Sequence, residues 1–152
     1  MAISDVRQVG APDGNVVLDL FVLHQRIGEL MELALAGTGV RPAEYAVYSQ
    51  LGIAAMTPRE LGARLGVTPS TLTGHLAALE RRGHASRTPN PDDGRSARLA
   101  LTAEGRRTLA AGRRGFRRVL RRFEGELPAP AAEVRAVLVA LDAAARRVVE
   151  GS

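Results

Sequence analysis

From Asn15 to about Ala36, the residues Val16, Leu20, Leu23, Ile27, Leu30 and Ala34 recur at helical spacing, with Asp13 or Asn15 placed to cap the first turn. A second line, Val17, Phe21, His24 and Met31, widens the stripe, so this helix predicts partners on more than one side. Gly37 and Gly39 end it. Pro42 opens a second helix that carries Tyr45, Val47, Tyr48 and Leu51. Thr57-Pro58-Arg59-Glu60 then has the form of a capping box, and the helix it starts buries Leu61 and Leu65 before stopping at Gly66. The signal repeats at once: Thr68 caps, Pro69 takes the first helical position, and Leu72, Leu76 and Leu79 form an apolar line that Gly83 ends. Two short capped helices joined by a tight turn around Gly66 predict a helix-turn-helix.

After His84 the period changes. Ala97, Leu99 and Leu101 alternate with Ser96, Arg98 and Ala100, and the turn formers Pro89-Asn90-Pro91-Asp92-Asp93-Gly94 precede them. The pattern predicts a β-hairpin over about 84–88 and 95–101 with a polar tip flanked by basic residues. Thr102 caps a long helix over about 103–126, with Leu109, Phe116, Leu120 and Phe123 on one side. Pro128 and Pro130 break it, and a last helix over about 131–149 aligns Val134, Leu138, Leu141, Ala145 and Val148. No internal repeat appears. The expected fold class is mainly α (α+β), a winged helix-turn-helix with long N- and C-terminal helices. A flexible arm over 1–12 precedes one compact domain.

The length, 152 residues, fits one domain, and 45% hydrophobic with 24% charged residues is ordinary for a globular chain. All 21 basic residues are Arg, a bias that a G+C-rich genome also produces. Their placement says more. Residues 57–122 hold 15 Arg against 5 acids, a net +10, while the flanks 1–56 and 123–152 are net −3 and −2. An acidic frame around a basic middle is the asymmetry expected of a module that meets a polyanion, although a solvated Arg-rich helix face would give the same count.

Cysteine is absent, which excludes disulfides, thiolate metal sites and Cys nucleophiles. The three histidines, His24, His75 and His84, fall on different elements, so no metal site is expected. No cofactor is implied. Apolar runs are too short for a membrane span, and residues 1–12 lack the apolar core of a signal peptide, so a cytoplasmic protein is expected. No nucleophile–base or phosphate-loop pattern points to an enzyme. The Asp92-Asp93 pair lies on a hairpin tip with no pocket residues nearby, which does not suit paired catalytic carboxylates.

Between about Val40 and Leu127 the chain resembles the multiple antibiotic resistance regulator (MarR) family of bacterial transcription factors. The resemblance rests on Pro42-Ala43-Glu44-Tyr45-Ala46-Val47, on the run from Leu61 through Gly66-Val67-Thr68-Pro69 to Thr73, and on Leu79-Glu80-Arg81-Arg82-Gly83. The wing signature Asp92-Asp93-Gly94-Arg95 and the closing Leu101-Thr102-Ala103-Glu104-Gly105 complete it. It implies a homodimer built from helices in 13–38 and 123–152, with 40–122 as the DNA-binding region. Two recognition helices would enter successive major grooves of a pseudo-palindromic operator in double-stranded DNA, with the wings in the minor groove. It further implies a repressor released by a small aromatic or anionic ligand.

Carried over residue by residue, the resemblance makes Thr68, Pro69, Ser70, Thr71, Thr73 and His75 candidate DNA contacts on the recognition helix, with Arg87, Arg95 and Arg98 on the wing. Thr68 and Ser70 also suit plain helix capping. Arg95 takes the wing-tip arginine position, and Asp93 matches the acid that orients a wing arginine, with Arg87 as its other candidate partner. Departures are Gly74 at a usually basic position, Arg41 in place of a Ser or Thr cap, and His84 in place of an apolar residue. His75 either compensates for Gly74 or packs. Candidate effector-binding residues are His24, Met31, Tyr45, Tyr48 and Met56, the alternative being that they fill the core. Arg106, Arg113, Arg117 and Arg121, with their basic neighbours, form a broad cationic face on the long helix, near DNA at its start or turned to solvent later. Other readings are a DNA-compacting protein without sequence preference and a helical protein-interaction module.

Overall fold

Asn15 sets the first boundary: its Oδ1 accepts the Leu18 N–H at 3.1 Å, and helix α1 runs Val16–Leu35. The structure, a computed structural model, describes residues 8–152, so most of the arm expected over 1–12 lies outside the described residues. Residues 8–14 form turns tied to α1 by the Gly10 N–H, which donates to Asp19 Oδ1 at 3.0 Å.

Helix α2 spans Pro42–Leu51. Its N-cap, Arg41, has no capping hydroxyl, and Glu44 takes over by accepting the Arg41 N–H at 3.2 Å. Helices α3 (Pro58–Leu65) and α4 (Pro69–Arg81) start as the repeated Thr-Pro signal predicts. Thr57 Oγ1 accepts from the Glu60 N–H at 3.2 Å while Glu60 Oε2 accepts from the Thr57 N–H at 2.7 Å, a closed capping box. Gly66 then turns the chain at φ 63°, a left-handed conformation that costs any other residue strain.

Strands β1 (Ala85–Pro89) and β2 (Ala97–Leu101) pair antiparallel, Ala85 opposite Leu101 and Pro89 opposite Ala97. The second strand begins two residues later than expected because Asn90 and Ser96 close the tip: the Asn90 N–H donates to Ser96 O at 3.2 Å, and Asn90 Nδ2 to Ser96 Oγ at 2.8 Å. Met56 adds one further rung, exchanging backbone hydrogen bonds of 3.0 and 2.8 Å with Leu99. Helices α5 (Ala103–Gly125) and α6 (Ala131–Glu150) complete the chain.

The core gathers α2, α3, α4 and the hairpin around Val47, Tyr48, Leu61, Leu79 and Leu99, all fully buried, and Leu109 of α5 joins it. Three buried glycines, Gly105, Gly112 and Gly115, form the packed face of α5. Of these, sequence reasoning missed Gly112 and Gly115. A Cβ on Gly112 would sit 2.5 Å from the Tyr45 ring, and one on Gly115 would sit 1.8 Å from the Ala34 carbonyl oxygen.

The chain divides into two compact units, one ending at Phe116 and one spanning Arg117–Ser152. The apolar lines of the terminal helices are not buried within the chain. On α1 the buried residues are Val22, Ala34 and Leu35, whereas Val16, Val17 and Phe21 are more than half exposed. Helix α6 buries nothing, and Leu120 and Phe123 of α5 are exposed too. Apolar periodicity records which face is meant to be covered, not whether the same chain covers it.

Candidate nucleic-acid interface

The basic middle of the sequence folds into α3, α4, the hairpin and α5. With Leu72, Leu76 and Leu79 turned inward, the helical period points Ser70, Thr73, Gly74, Ala77 and Arg81 outward, and all five are exposed. The middle of this face is short: Gly74 and Ala77 leave the backbone open to close approach, and an added Cβ at Gly74 would meet nothing within 4 Å. Ala77 and Arg81 are members of this face that sequence reasoning missed, although counting turns from the buried leucines would have found them. His75 lies half-buried at the edge of the inward face, the packing alternative.

Thr68, Pro69, Ser70 and Thr71 form the exposed first turn of α4. Thr68 Oγ1 accepts from the Thr71 N–H at 3.3 Å and donates to Thr71 Oγ1 at 2.9 Å, so Thr68 caps the helix. Thr73 Oγ1 donates to the Pro69 carbonyl at 2.8 Å, leaving its lone pairs outward. The turn therefore presents a helix N-terminus rimmed by hydroxyls, an electropositive end suited to phosphate.

The wing arginines separate sharply. Arg95 is exposed at the tip, and its guanidinium has no partner among the described residues. Arg87 is held bidentately by Glu80 at the end of α4, at 2.6 and 3.2 Å, which raises its pKa further. Arg98 reaches Asn90 Oδ1 at 3.2 Å and the Ala55 carbonyl at 3.4 Å, with Asp92 at 3.5 Å. Arg87 thus ties α4 to β1, and Arg98 braces the wing tip against the turn before α3. Asp93 Oδ1 accepts the Arg95 backbone N–H at 3.0 Å, so it shapes the turn that carries Arg95. Arg87 is not its partner.

The candidate effector residues do not converge. Tyr48 and Met56 belong to the core, Tyr45 stacks on Phe116 at 4.7 Å between ring centres, His24 is exposed on α1, and Met31 is half-buried there. Tyr48 spends its hydroxyl on His84 Nδ1 at 2.7 Å, which explains a polar residue at the wing base. Burial pushes the Tyr48 phenol pKa up. A cleft of about 390 Å³ does open between α3 and α4, lined by Pro58, Gly62, Val67 and Leu72 among others. No cluster of His, Cys, Asp or Glu among the described residues could hold a metal ion.

Beneath the interface lies an ion pair that sequence reasoning missed. Glu44 is 1% exposed and takes both arms of Arg82, at 2.9 and 3.3 Å. Burial alone would raise the Glu44 pKa, but Arg82 and the Arg41 N–H outweigh it and hold the carboxyl below its ordinary 4.5. Its contribution to stability is therefore complete above pH 4.5 and is lost as pH falls through the lower folded value. Arg82→Ala is expected to destabilise by about 2–3 kcal/mol at pH 7, less than a fully enclosed pair because Arg82 is 34% exposed. The stranded carboxylate can be neutralised by protonation, so melting curves at pH 7 and pH 4 should show the deficit shrinking in acid. An equal deficit at both would remove Glu44 from the explanation.

Residues 38–96 match the model of the MarR family. The HTH-type transcriptional repressor YetL of Bacillus subtilis (strain 168) is 34% identical over 98 residues, 62% of this chain, and the match spans 59% of that relative's length. The fold is similar to the transcriptional repressor CouR bound to a 23-mer DNA duplex, at 28% identity and TM-score 0.77 over 93% of this chain and 99% of that one. It is also similar to the PcaV transcriptional regulator from Streptomyces coelicolor, at 27% identity and TM-score 0.69 over 91% and 100%.

Proposed function

We propose that this chain, of which residues 38–96 match the MarR family model, is a DNA-binding transcription regulator of that family that acts as a repressor through α4 and the wing. The observation that carries this reading is the pairing of surfaces on one folded unit. The first turn and outward face of α4 are small, hydroxyl-bearing and open, and of the three wing arginines only Arg95 is unpaired. Hydroxyls and backbone N–H groups at a helix start position a phosphate, and Arg95 suits the concentrated negative potential of a narrow minor groove. Arg87 and Arg98 become positioning residues that set the angle of the wing. YetL is named a repressor and CouR is bound to a duplex, which supports the same role here.

Arg95→Ala is expected to weaken binding of the dimer to a promoter-region duplex at least about tenfold and to reduce the slope of log affinity against log salt by about 1.8, one phosphate contact from each of two protomers. Unchanged affinity and slope would take the wing out of the mechanism.

The regulator acts as a homodimer on a pseudo-palindromic operator. The exposed Phe21, Val17, Leu138 and Val148 of the terminal helices are the faces a second copy would cover. Sedimentation at micromolar concentration should give twice the monomer mass, and a monomer would contradict this arrangement. A small aromatic or anionic ligand that favours a dimer with mismatched helix spacing must weaken DNA binding, since the coupling is reciprocal. Thermal shift against phenolic and acidic metabolites tests this, and no shift with any of them would count against release by a ligand.

A further inference from the structure

A polar relay crosses the apolar core at the base of the wing. Glu44 of α2, almost fully buried, takes both arms of Arg82, which caps the C-terminal end of α4. The Arg82 guanidinium also interacts with the phenol oxygen of Tyr48. Tyr48 Oη in turn lies 2.7 Å from Nδ1 of His84, a half-buried residue where the MarR resemblance calls for an apolar one. His84 is the joint between α4 and the wing. Its N–H donates to the Leu79 carbonyl of α4 at 2.9 Å, its carbonyl accepts the Thr102 N–H at 3.0 Å, and β1 begins at the next residue. The relay therefore ties α2 to the point where α4 passes into the hairpin.

The direction of each bond follows from the donors. A guanidinium only donates, so the phenol oxygen accepts from Arg82 and its own proton needs another acceptor. Among the described residues that acceptor is His84 Nδ1. Burial raises the Tyr48 pKa, so the phenol keeps its proton. Every polar atom of the relay is satisfied while the imidazole is neutral. A proton on Nδ1 turns an acceptor into a second donor facing the phenol oxygen, and the phenol proton is then stranded in a fully buried position. The charged and titratable groups around the ring are Tyr48 and Glu44 from α2, Arg82 from the end of α4 and Glu104 from α5. Arg82, which shares the phenol oxygen, repels an imidazolium. Glu104 attracts one, but it is exposed and already paired with Arg107, so its pull is screened.

We propose that His84 and Tyr48 are positioning residues for duplex binding: the neutral imidazole latches α2 to the α4–wing joint, and its protonation opens the latch and weakens binding in acid. The proposal rests on the α4–wing reading of the DNA surface. Imidazole is the side chain that changes charge between about pH 5 and 8, which sets the working window. The sign sets the latch apart from ordinary electrostatics. Acid adds positive charge to the protein, His75 on α4 included, and so strengthens attraction to a polyanion. An opening latch acts in the opposite direction.

The test uses full-length protein and a promoter-region duplex at constant salt, at about pH 7.5 and about pH 5.5. The set is wild type, His84→Asn, whose Oδ1 can take the phenol proton without titrating, and Tyr48→Phe, which has no phenol proton to strand. Melting curves check folding at both pH values, and if Tyr48→Phe unfolds, His84→Asn decides. Wild-type affinity is expected to fall at least about tenfold from the higher to the lower pH, and neither variant is expected to weaken in acid. Without DNA, the backbone NMR signals of residues 85–101 should shift over the same range in wild type and hold still in His84→Asn. Wild type that binds as tightly or more tightly in acid, or His84→Asn that weakens as wild type does, would overturn the latch and leave the α4–wing reading intact. No binding by wild type at either pH would overturn that reading instead, and wing signals that stay fixed in wild type would then overturn the latch as well.

Discussion

Gly115→Ala is expected to destabilise the protein by about 3 kcal/mol or more and to lower its melting temperature by roughly 10 °C. The added methyl would sit 1.8 Å from the Ala34 carbonyl oxygen and 2.9 Å from its carbon. Both belong to backbone, so no rotamer change relieves the overlap, and α1 must move away from α5. Overpacking usually costs about 1–3 kcal/mol because side chains can yield. Here they cannot, which places this change at or beyond the top of that range. Gly74→Ala is the matched control. It lies inside α4 at negative φ with nothing within 4 Å of the new atom, so Ala should stabilise by about 0.5–1 kcal/mol through reduced chain entropy. Thermal melts of the two variants check both signs. A Gly115→Ala protein as stable as wild type would mean that α1 and α5 do not approach this closely.

The second large effect concerns binding. Ser70→Glu/Thr71→Glu is expected to reduce affinity for duplex DNA carrying the operator at least about 100-fold, near 2.7 kcal/mol. Two carboxylates in the first turn of α4 replace hydroxyls that can meet phosphate and set like charge against the strand. The same acids favour a helix N-terminus, so the variant should melt no lower than wild type. That separation of affinity from stability is the diagnostic. Equal losses in both would show that the fold, not the surface, had failed.

How far the sequence foretold this structure depends on the range of the interaction. Local signals were legible: Thr57 with Glu60, Thr68 before Pro69, and left-handed Gly66 fix the helix-turn-helix within a few residues of chain. The hairpin was legible by its change of period, but its tip was read too short because Asn90 and Ser96 close it through side chains as well as backbone. Glu44 with Arg82 was invisible, since the partners lie 38 positions apart and a glutamate three residues into a helix looks like a solvated cap. The partners of Arg87 and Arg98 within the chain, Glu80 and Asn90, were not legible, because they come together only when the wing folds beside α4 and α3. Tyr48 and Met56 looked like pocket residues because aromatic and sulfur side chains serve either role, and burial decided for the core. The small packed face of α5 went unremarked because glycine in a helix reads as a weakness until its neighbour is known.

Sequence-specific recognition through α4 and the wing, proposed above, stands or falls on competition binding. Full-length protein is bound to a labelled duplex from the promoter region of its own or adjoining genes, then challenged with unlabelled promoter or random duplex at physiological salt. The expected result is a preference for the promoter of at least about 10³-fold, abolished by Ser70→Glu/Thr71→Glu. Random duplex competing as well as the promoter fragment would contradict it.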